Sequence, residues 1–186
     1  MRKSLGAKPM MYPMPVLIIA TYGEDGTPDA MNAAWGGIAD SNKISLALST
    51  SHRTVANILA RRAFTVSMGD AEHAVACDYV GLVSGNSVPD KFARAGFHAV
   101  PSASVDAPLI EELPLALECR LVSWDEAREI MIGEIVDVSA DERILDADGR
   151  IDVAELDPIA YDTDNKAYYR LGEKVGNAFE DGKRLG

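Results

Sequence analysis

Short aliphatic runs bounded by turn residues dominate this chain, and their pattern predicts strands more often than helices. Val16–Tyr22 is a β-branched run that ends at the turn cluster Gly23–Gly26, so we expect a β-hairpin that returns from Thr27 onwards. Lys43–Ser49 alternates small or polar residues with aliphatic ones, which is the pattern of a strand with one face in the core. Ala63–Met68 predicts another strand.

The second half of the chain contains the two clearest strands. Leu115–Trp124 and Glu129–Val138 are separated by four residues and should pair antiparallel. Glu118 and Glu134 lie inside them, and strand alternation predicts that both carboxylates point outward into solvent rather than forming an acid/base pair. Ala167–Gly172 predicts a last strand.

Helices are fewer and shorter. Apolar positions at helical spacing and two arginines in the last turn predict a helix over Arg53–Arg62. A second helix is expected over Ala71–Val83, a short one begins with Pro89 in its first helical position, and a terminal one covers Glu173–Asp181. Closely spaced strands with a few helices between them favour a mainly β protein, a small barrel with helical insertions, over a doubly wound sheet.

Length and composition narrow the class. With 186 residues, close to half of them hydrophobic, we expect one domain over residues 1–186. The net charge of -11 argues against a nucleic-acid partner, since phosphate backbones need clustered Lys and Arg. No run reaches the length of a membrane span, and Val16–Ala20 is too short for a signal peptide, so we expect no membrane partner. The chain has only two cysteines, without a disulfide pattern, which makes a reducing cytoplasm the expected location.

No metal site is expected. Cys77 and Cys119 are far apart, so neither a disulfide framework nor a zinc motif is indicated, and His73 with Cys77 offers too few ligands. The Asp146–Gly149 run resembles part of a calcium loop, but Ile144 stands where its first carboxylate belongs. A tight turn is the better interpretation.

Two stretches predict a ligand site. Asp29–Gly37 is small and nearly uncharged, with one Trp before two glycines, which suits the close approach of backbone amides to a flat ligand. Ser49–Asn57 places hydroxyls and Arg53 at a predicted helix start, where the unpaired amides and the helix dipole favour a phosphate. A tightly packed strand followed by an ordinary helix cap explains the same residues, and spacing alone does not decide between the two.

The loop over Ser84–Phe92 leaves a similar choice. Lys91 and Arg94 are its cations, and on spacing alone a solvated surface loop is the simpler interpretation.

Eight short segments, spread in order over nearly the whole chain, together resemble one family: Tyr12–Val16, Asn32–Gly37, Asn57–Ile58, Asp78–Gly85, Asp90–Phe92, Leu117–Cys119, Ile132–Ile135 and Ala167–Tyr169. This combination is similar to the flavin reductase-like FMN-binding split-barrel proteins. The resemblance favours a binding role for the Lys91 loop. The chain departs from the family over Asn86–Val88, where related proteins often carry Arg.

The resemblance implies a six-stranded antiparallel Greek-key split barrel that forms a homodimer with FMN near the subunit interface. It implies that Asn32, Ala33, Ala34 and Trp35 line the isoalloxazine ring. The ribityl chain and phosphate are then held by the remaining members of the site, namely Ser49, Thr50, Ser51, Arg53, Thr54, Asn57, Ser84 and Lys91.

The implied activity is an FMN-dependent oxidoreductase. Electrons pass from a reduced nicotinamide or a redox-protein donor through FMN to free flavin, ferric iron or another redox protein. No catalytic side chain is expected, because a flavin carries its own redox chemistry. Two alternatives stay open: a flavin-binding or carrier module without turnover, and a barrel that serves only as an interaction or structural protein.

Overall fold

The computed structural model describes all 186 residues, and most of its regular structure is antiparallel strand. The strands in chain order are β1 (Met14–Pro15), β2 (Leu17–Tyr22), β3 (Pro28–Ala33), β4 (Gly36–Asp40), β5 (Lys43–Ala47), β6 (Ala63–Met68), β7 (Ala99–Pro101), β8 (Pro108–Ile110), β9 (Leu115–Asp125), β10 (Ile130–Ala140), β11 (Ile159–Asp162) and β12 (Ala167–Arg170). The helices are α1 (Arg53–Arg61), α2 (Ala74–Leu82), α3 (Lys91–Arg94) and α4 (Val153–Leu156), with 3-10 turns at Glu142–Ile144 and Asp181–Leu185. None of these helices is long and apolar enough to cross a membrane.

Seven strands form the main sheet, in the order β3-β2-β6-β9-β10-β5-β4, and all neighbours are antiparallel. Its two edge strands, β3 and β4, are consecutive in the chain and are separated only by Ala34 and Trp35. The sheet must therefore curl until its edges approach each other, and we call this junction the seam. The curled half-barrel confirms the predicted mainly β split-barrel fold. The main sheet has seven strands where the resemblance implied six, because the chain from Pro28 to Asp40 is divided at the seam into the two strands β3 and β4.

Strand β2 is buried on both faces, and its alternation divides the core in two. Leu17 and Ile19 join the cluster inside the curl, while Ile18 and Ala20 join a second cluster beneath α2 and α3. Each fully buried aliphatic side chain contributes about 1.5 to 3 kcal/mol. Packing on both faces fixes the register of β2, and with it the paired strand β3, whose end reaches the seam.

Helix α1 ends one residue before the predicted boundary, where Arg62 adopts a left-handed conformation with φ 62°. Helix α2 begins three residues later than predicted, because the Asp70 carboxylate accepts the backbone N–H of His73 at 2.8 Å and holds a turn there. The short helix predicted to start at Pro89 is α3, which begins two residues later, at Lys91.

The prediction that Glu118 points into solvent is wrong. Its side chain is 2% exposed and accepts hydrogen bonds from the hydroxyls of Ser102 and Ser139. Alternation had placed Glu118 on the outer face of β9 correctly, but the loop that carries Ser102 covers that face. Glu134 is half-buried and accepts a hydrogen bond from Asn42 at 3.4 Å.

The predicted terminal helix over Glu173–Asp181 is also wrong. Residues 171–177 have no regular structure, and only a 3-10 turn follows at Asp181–Leu185. A helix this short is marginal unless its apolar face packs on something, and here Val175 and Phe179 are fully exposed.

Candidate functional site

Two adjoining cavities lie at the seam. The large cavity has a volume of about 450 Å³ and a mostly apolar lining of Met31, Asn32, Ala33, Ala34, Trp35, Ala47, Leu48, His52, Asp78, Gly81, Leu82, Tyr161, Lys166 and Tyr168. The small cavity, of about 190 Å³, is more polar and is lined by Met31, Asn32, His52, Arg53, Thr54, Val80, Gly81, Leu82, Val83, Ser84, Gly85 and Lys91. Five residues line both, so the two cavities form one continuous cleft: Met31, Asn32, His52, Gly81 and Leu82.

The first group of predicted site residues comes together in the large cavity. Ala33 and Ala34 are small and buried at the end of β3, and they leave room that a larger side chain would fill. Trp35 is 50% exposed at the rim. Gly36 has a packing reason rather than a ligand-binding one, because a Cβ there would lie 2.6 Å from Leu46 Cδ2.

A hydrogen-bonded chain fixes the polar wall of the large cavity. The Asn32 side-chain amide donates to the Cys77 carbonyl at 3.0 Å and approaches the Tyr168 hydroxyl at 3.5 Å. That hydroxyl donates to Asp78 Oδ1 at 2.8 Å. Burial and the bond to Asp78 both raise the pKa of Tyr168, so the phenol stays neutral. Asn32 Oδ1 accepts no hydrogen bond within the chain, which leaves it able to receive an N–H from a ligand.

The start of α1 lies at the small cavity and has unpaired donors. His52 is the N-cap residue and makes no side-chain capping bond, and the backbone N–H groups of Arg53 and Thr54 have no acceptor. The Thr54 hydroxyl donates to Asp29 Oδ2 at 2.6 Å, so it does not cap the helix either. Free amides at the positive end of a helix dipole favour an anion, and Arg53, which also lines the small cavity, adds a positive charge.

His52 lies where the two cavities meet, and the sequence reasoning missed it. Its Nδ1 is buried without a hydrogen-bond partner, which is costly unless a ligand supplies one. Burial lowers the pKa of His52, and the nearby Lys91 lowers it further, so the imidazole is neutral at pH 7. Its position between the hydroxyl run and Arg53 was the available signal.

Lys91 is part of the small cavity but is held from within the protein. Its Nζ donates to the carbonyls of Val80 and Val83 at 3.2 Å each, and it lies 3.5 Å from Asp29 Oδ1. Both charged side chains are 4% exposed. Burial lowers the pKa of Lys91, although Asp29 opposes this shift. The backbone at Gly85 passes so close that a Cβ would lie 2.6 Å from Asp29 Oδ1.

Other predicted residues lie near the cleft without lining it. Ser49 and Ser51 have their hydroxyls 3.1 Å apart, and the Thr50 backbone N–H donates to Glu129 Oε1 at 2.8 Å. Asn57 is 7% exposed, and its Nδ2 has no partner. Ser84, by contrast, lines the small cavity together with Arg53, Thr54 and Lys91, so the structure divides this predicted group.

Further lining residues were not predicted individually. Asp78 and Gly81 lie in one of the segments that carried the family resemblance, and Tyr168 lies in another. Tyr161 and Lys166 had no signal in the sequence, because strands β11 and β12 reach the cavity only through the fold.

Fold and cleft together define a class: a split-barrel protein with a mostly apolar cavity at the seam and a smaller, polar one at a helix start. The model of the flavin reductase like domain matches residues 10–168. The chain therefore belongs to the flavin reductase-like family.

Solved structures agree with this assignment. Flavoredoxin of Desulfovibrio vulgaris (Miyazaki F) is 39% identical, with a TM-score of 0.94 and coverage of 98% of this chain and 100% of that one. Flavoredoxin from Methanosarcina acetivorans is 26% identical, with a TM-score of 0.90 and full coverage of both chains, 100% each. An FMN-binding domain of a flavin reductases-like enzyme from Shewanella baltica OS155 shares the fold at 19% identity, with a TM-score of 0.79 and 88% coverage of each chain.

Proposed function

We propose that this protein is an FMN-dependent oxidoreductase of the flavoredoxin type. The observation that carries the proposal is the continuous cleft, in which an apolar cavity for a ring system leads to unpaired helix amides and Arg53. FMN has this sequence of parts, since a flat tricyclic ring is joined through a polyol to a phosphate. Membership of the flavin reductase-like family and the similarity to two flavoredoxins support the proposal.

The residues of the large cavity fit the ring. Ala33 and Ala34 leave space for a flat ligand, Trp35 covers one edge, and Asn32 Oδ1 accepts an N–H from the polar side of the ring. When bound, FMN supplies the transfer of a hydride or single electrons, so the chain needs only to bind, orient and tune it. Catalytic side chains are accordingly not assigned.

The small cavity fits the phosphate. The amides of Arg53 and Thr54 donate to its oxygens, the Arg53 guanidinium neutralises its charge, and Ser84 adds a hydroxyl. Lys91 contributes its positive charge to the phosphate site without a direct contact, because its Nζ already has three oxygen neighbours within the protein.

The ribityl chain completes the proposed site. It passes His52, whose unpartnered Nδ1 gains a hydroxyl donor. Ser49, Thr50, Ser51 and Asn57 remain proposed contacts to the ribityl chain and phosphate.

The proposal extends to assembly and electron flow. We propose a cytoplasmic homodimer with FMN near the subunit interface. A reduced nicotinamide or a redox protein is the proposed donor, and free flavin, ferric iron or a redox partner is the acceptor.

The first experiment is the visible absorption spectrum of the purified protein, with chemical identification of the compound released by heat. Stoichiometric FMN supports the proposal, and a colourless protein that fails to bind added FMN refutes it. Oxidation of NAD(P)H by the loaded protein then separates an oxidoreductase from a carrier, which binds FMN without turnover.

A comparison of two ligands tests the phosphate assignment. The Arg53→Ala variant should lose affinity for FMN but keep its affinity for riboflavin, which has no phosphate. Equal losses for both ligands would show that Arg53 acts through the fold rather than through the phosphate. The Arg61→Ala variant, which alters a cation at the other end of α1, serves as the matched control.

A further inference from the structure

The C-terminal arm, defined as residues 173–186, makes no polar contact with the rest of the chain. All of its hydrogen bonds and ion pairs are internal, such as the backbone N–H of Asn177 to Asp181 Oδ2 at 2.9 Å. Its large apolar side chains are almost completely exposed, with Val175 at 102%, Phe179 at 95% and Leu185 at 94%. Large apolar side chains exposed together are typical of interaction surfaces, and no contact within this chain covers those of the arm.

A matching surface exists at the seam. Ile38 on the edge strand β4 is 68% exposed, and Trp35, three residues earlier in the chain, is 50% exposed. Trp35 lines the large cavity together with Leu82, which is at the end of α2 and 74% exposed. We call these three residues the apolar rim. Strand β4 is also an unpaired sheet edge, which is a further reason for this surface to be covered.

The charge distribution favours a contact through the C-terminal arm over a direct contact between residues 1–172 of two copies. The whole chain has a net charge of -11, but the arm carries three acidic and three basic side chains. All of the excess negative charge therefore lies in residues 1–172, and two such bodies repel each other. A neutral apolar arm can bridge them without adding to that repulsion.

The arm is long enough to cross a second copy. Fully extended, 14 residues span up to about 46 Å, at roughly 3.3 Å per residue. A folded chain of this size has a radius of gyration of about 16 Å, so the arm reaches across most of its diameter. It leaves the body directly after β12, whose Tyr168 lines the large cavity.

We infer that the C-terminal arm of each copy packs on the apolar rim of a second copy of this chain, so that the partner completes the outer wall of the large cavity. The inference rests on the proposed homodimer and its cofactor site. Arm and rim belong to one chain, so a two-fold dimer buries both pairs and needs no other component.

The first test uses the full-length protein with Val175→Asp and Phe179→Asp together. Sedimentation equilibrium should show a dimer dissociation constant raised by about a hundredfold or more, because four apolar contacts per dimer are lost. The Lys174→Gln and Lys183→Gln double variant has the same change in charge and should stay within about threefold of the wild type. A monomeric wild type, or equal constants for the apolar variant and the control, would overturn the inference.

A second test locates the arm. Both native cysteines are buried, so Phe179→Cys and Ile38→Cys can be introduced in two differently tagged chains. When the two chains are mixed under mild oxidation, the introduced cysteines should form a disulfide that links the two differently tagged chains. Carried together on one chain, they should give a dimer and no crosslinked monomer. A crosslinked monomer would show that the arm folds back on its own body, and this would refute the inference. A disulfide between the arm and a protein other than a second copy of this chain would refute it equally.

The FMN content of the same preparations decides the proposed function independently. FMN bound to a protein without arm exchange refutes only the inference. A dimer with exchanged arms but without FMN refutes only the cofactor.

Discussion

The buried pair beneath the small cavity gives the sharpest test of the structural reasoning. Lys91→Met keeps most of the side-chain volume but removes Nζ. The change leaves Asp29 Oδ1 without its cation and leaves the carbonyls of Val80 and Val83, at the end of α2, without their shared donor. Asp29 keeps only the hydroxyl bond from Thr54 at 2.6 Å.

The expected loss is large because both charged groups are 4% exposed. Breaking one partner out of a buried pair costs about 3 to 5 kcal/mol. The unsatisfied groups give a consistent figure, since each buried polar atom left without a partner costs about 1 to 3 kcal/mol. With a denaturant slope of about 2 kcal/mol per molar urea, a loss of 4 kcal/mol moves the unfolding midpoint by about 2 M.

Urea unfolding of the flavin-free protein, followed by circular dichroism, measures this shift without interference from cofactor loss. Asp29→Asn removes the unpaired charge, so the Asp29→Asn/Lys91→Met double variant should be less destabilised than the sum of the two single variants. A loss below about 1 kcal/mol, as is typical of exposed ion pairs, or strict additivity, would refute the role assigned to the pair.

Three further predictions follow from single contacts. Gly36→Ala should destabilise the protein by about 1 to 3 kcal/mol in urea, because its Cβ would overlap the core side chain of Leu46, whereas Gly37→Ala meets open space and should be neutral. A hydrogen bond from Tyr12 lowers the pKa of Asp162 to about 2, so the ionised carboxylate stabilises the folded protein above its unfolded pKa of about 3.9. This stability is lost as the pH falls towards 2. In thermal melts over this pH range, Asp162→Asn should lose less stability than the wild type. Trp35→Ala should weaken FMN binding about tenfold and change the flavin absorbance, and an unchanged spectrum and affinity would contradict its place at the ring.

Local pattern was enough to predict most of the strands. The β2–β3 hairpin and the long β9–β10 hairpin are set by alternation and by turns a few residues long, so sequence neighbours become neighbours in space. The order of the main sheet could not be predicted in this way. It depends on which distant strands pair, and the curl that creates the seam follows from that order.

The candidate site likewise contains residues that are close in the sequence and residues that only the fold brings together. Asn32 to Trp35 form one continuous stretch, so the sequence brought them together. Tyr168 is 136 positions from Asn32, and only the fold makes them neighbours. The predictions for Glu118 and for the C-terminal arm were wrong for a related reason. Periodicity assigns a face of a strand or a helix, but it does not reveal what will cover that face or pack against that helix.

The seam has a consequence for how the protein responds to cofactor supply. Its two edge strands meet around the cleft and are joined by only two residues, so a bound flavin would bridge them where no backbone pairing does. By mass action, ligand at a hundred times its dissociation constant adds about 2.7 kcal/mol to stability, and here that gain would be concentrated at the sheet edges. Amide hydrogen exchange over Met31–Gly37 should slow when FMN is added. In a cell short of flavin, the empty protein would open first along this line, and proteases would remove it before the loaded form.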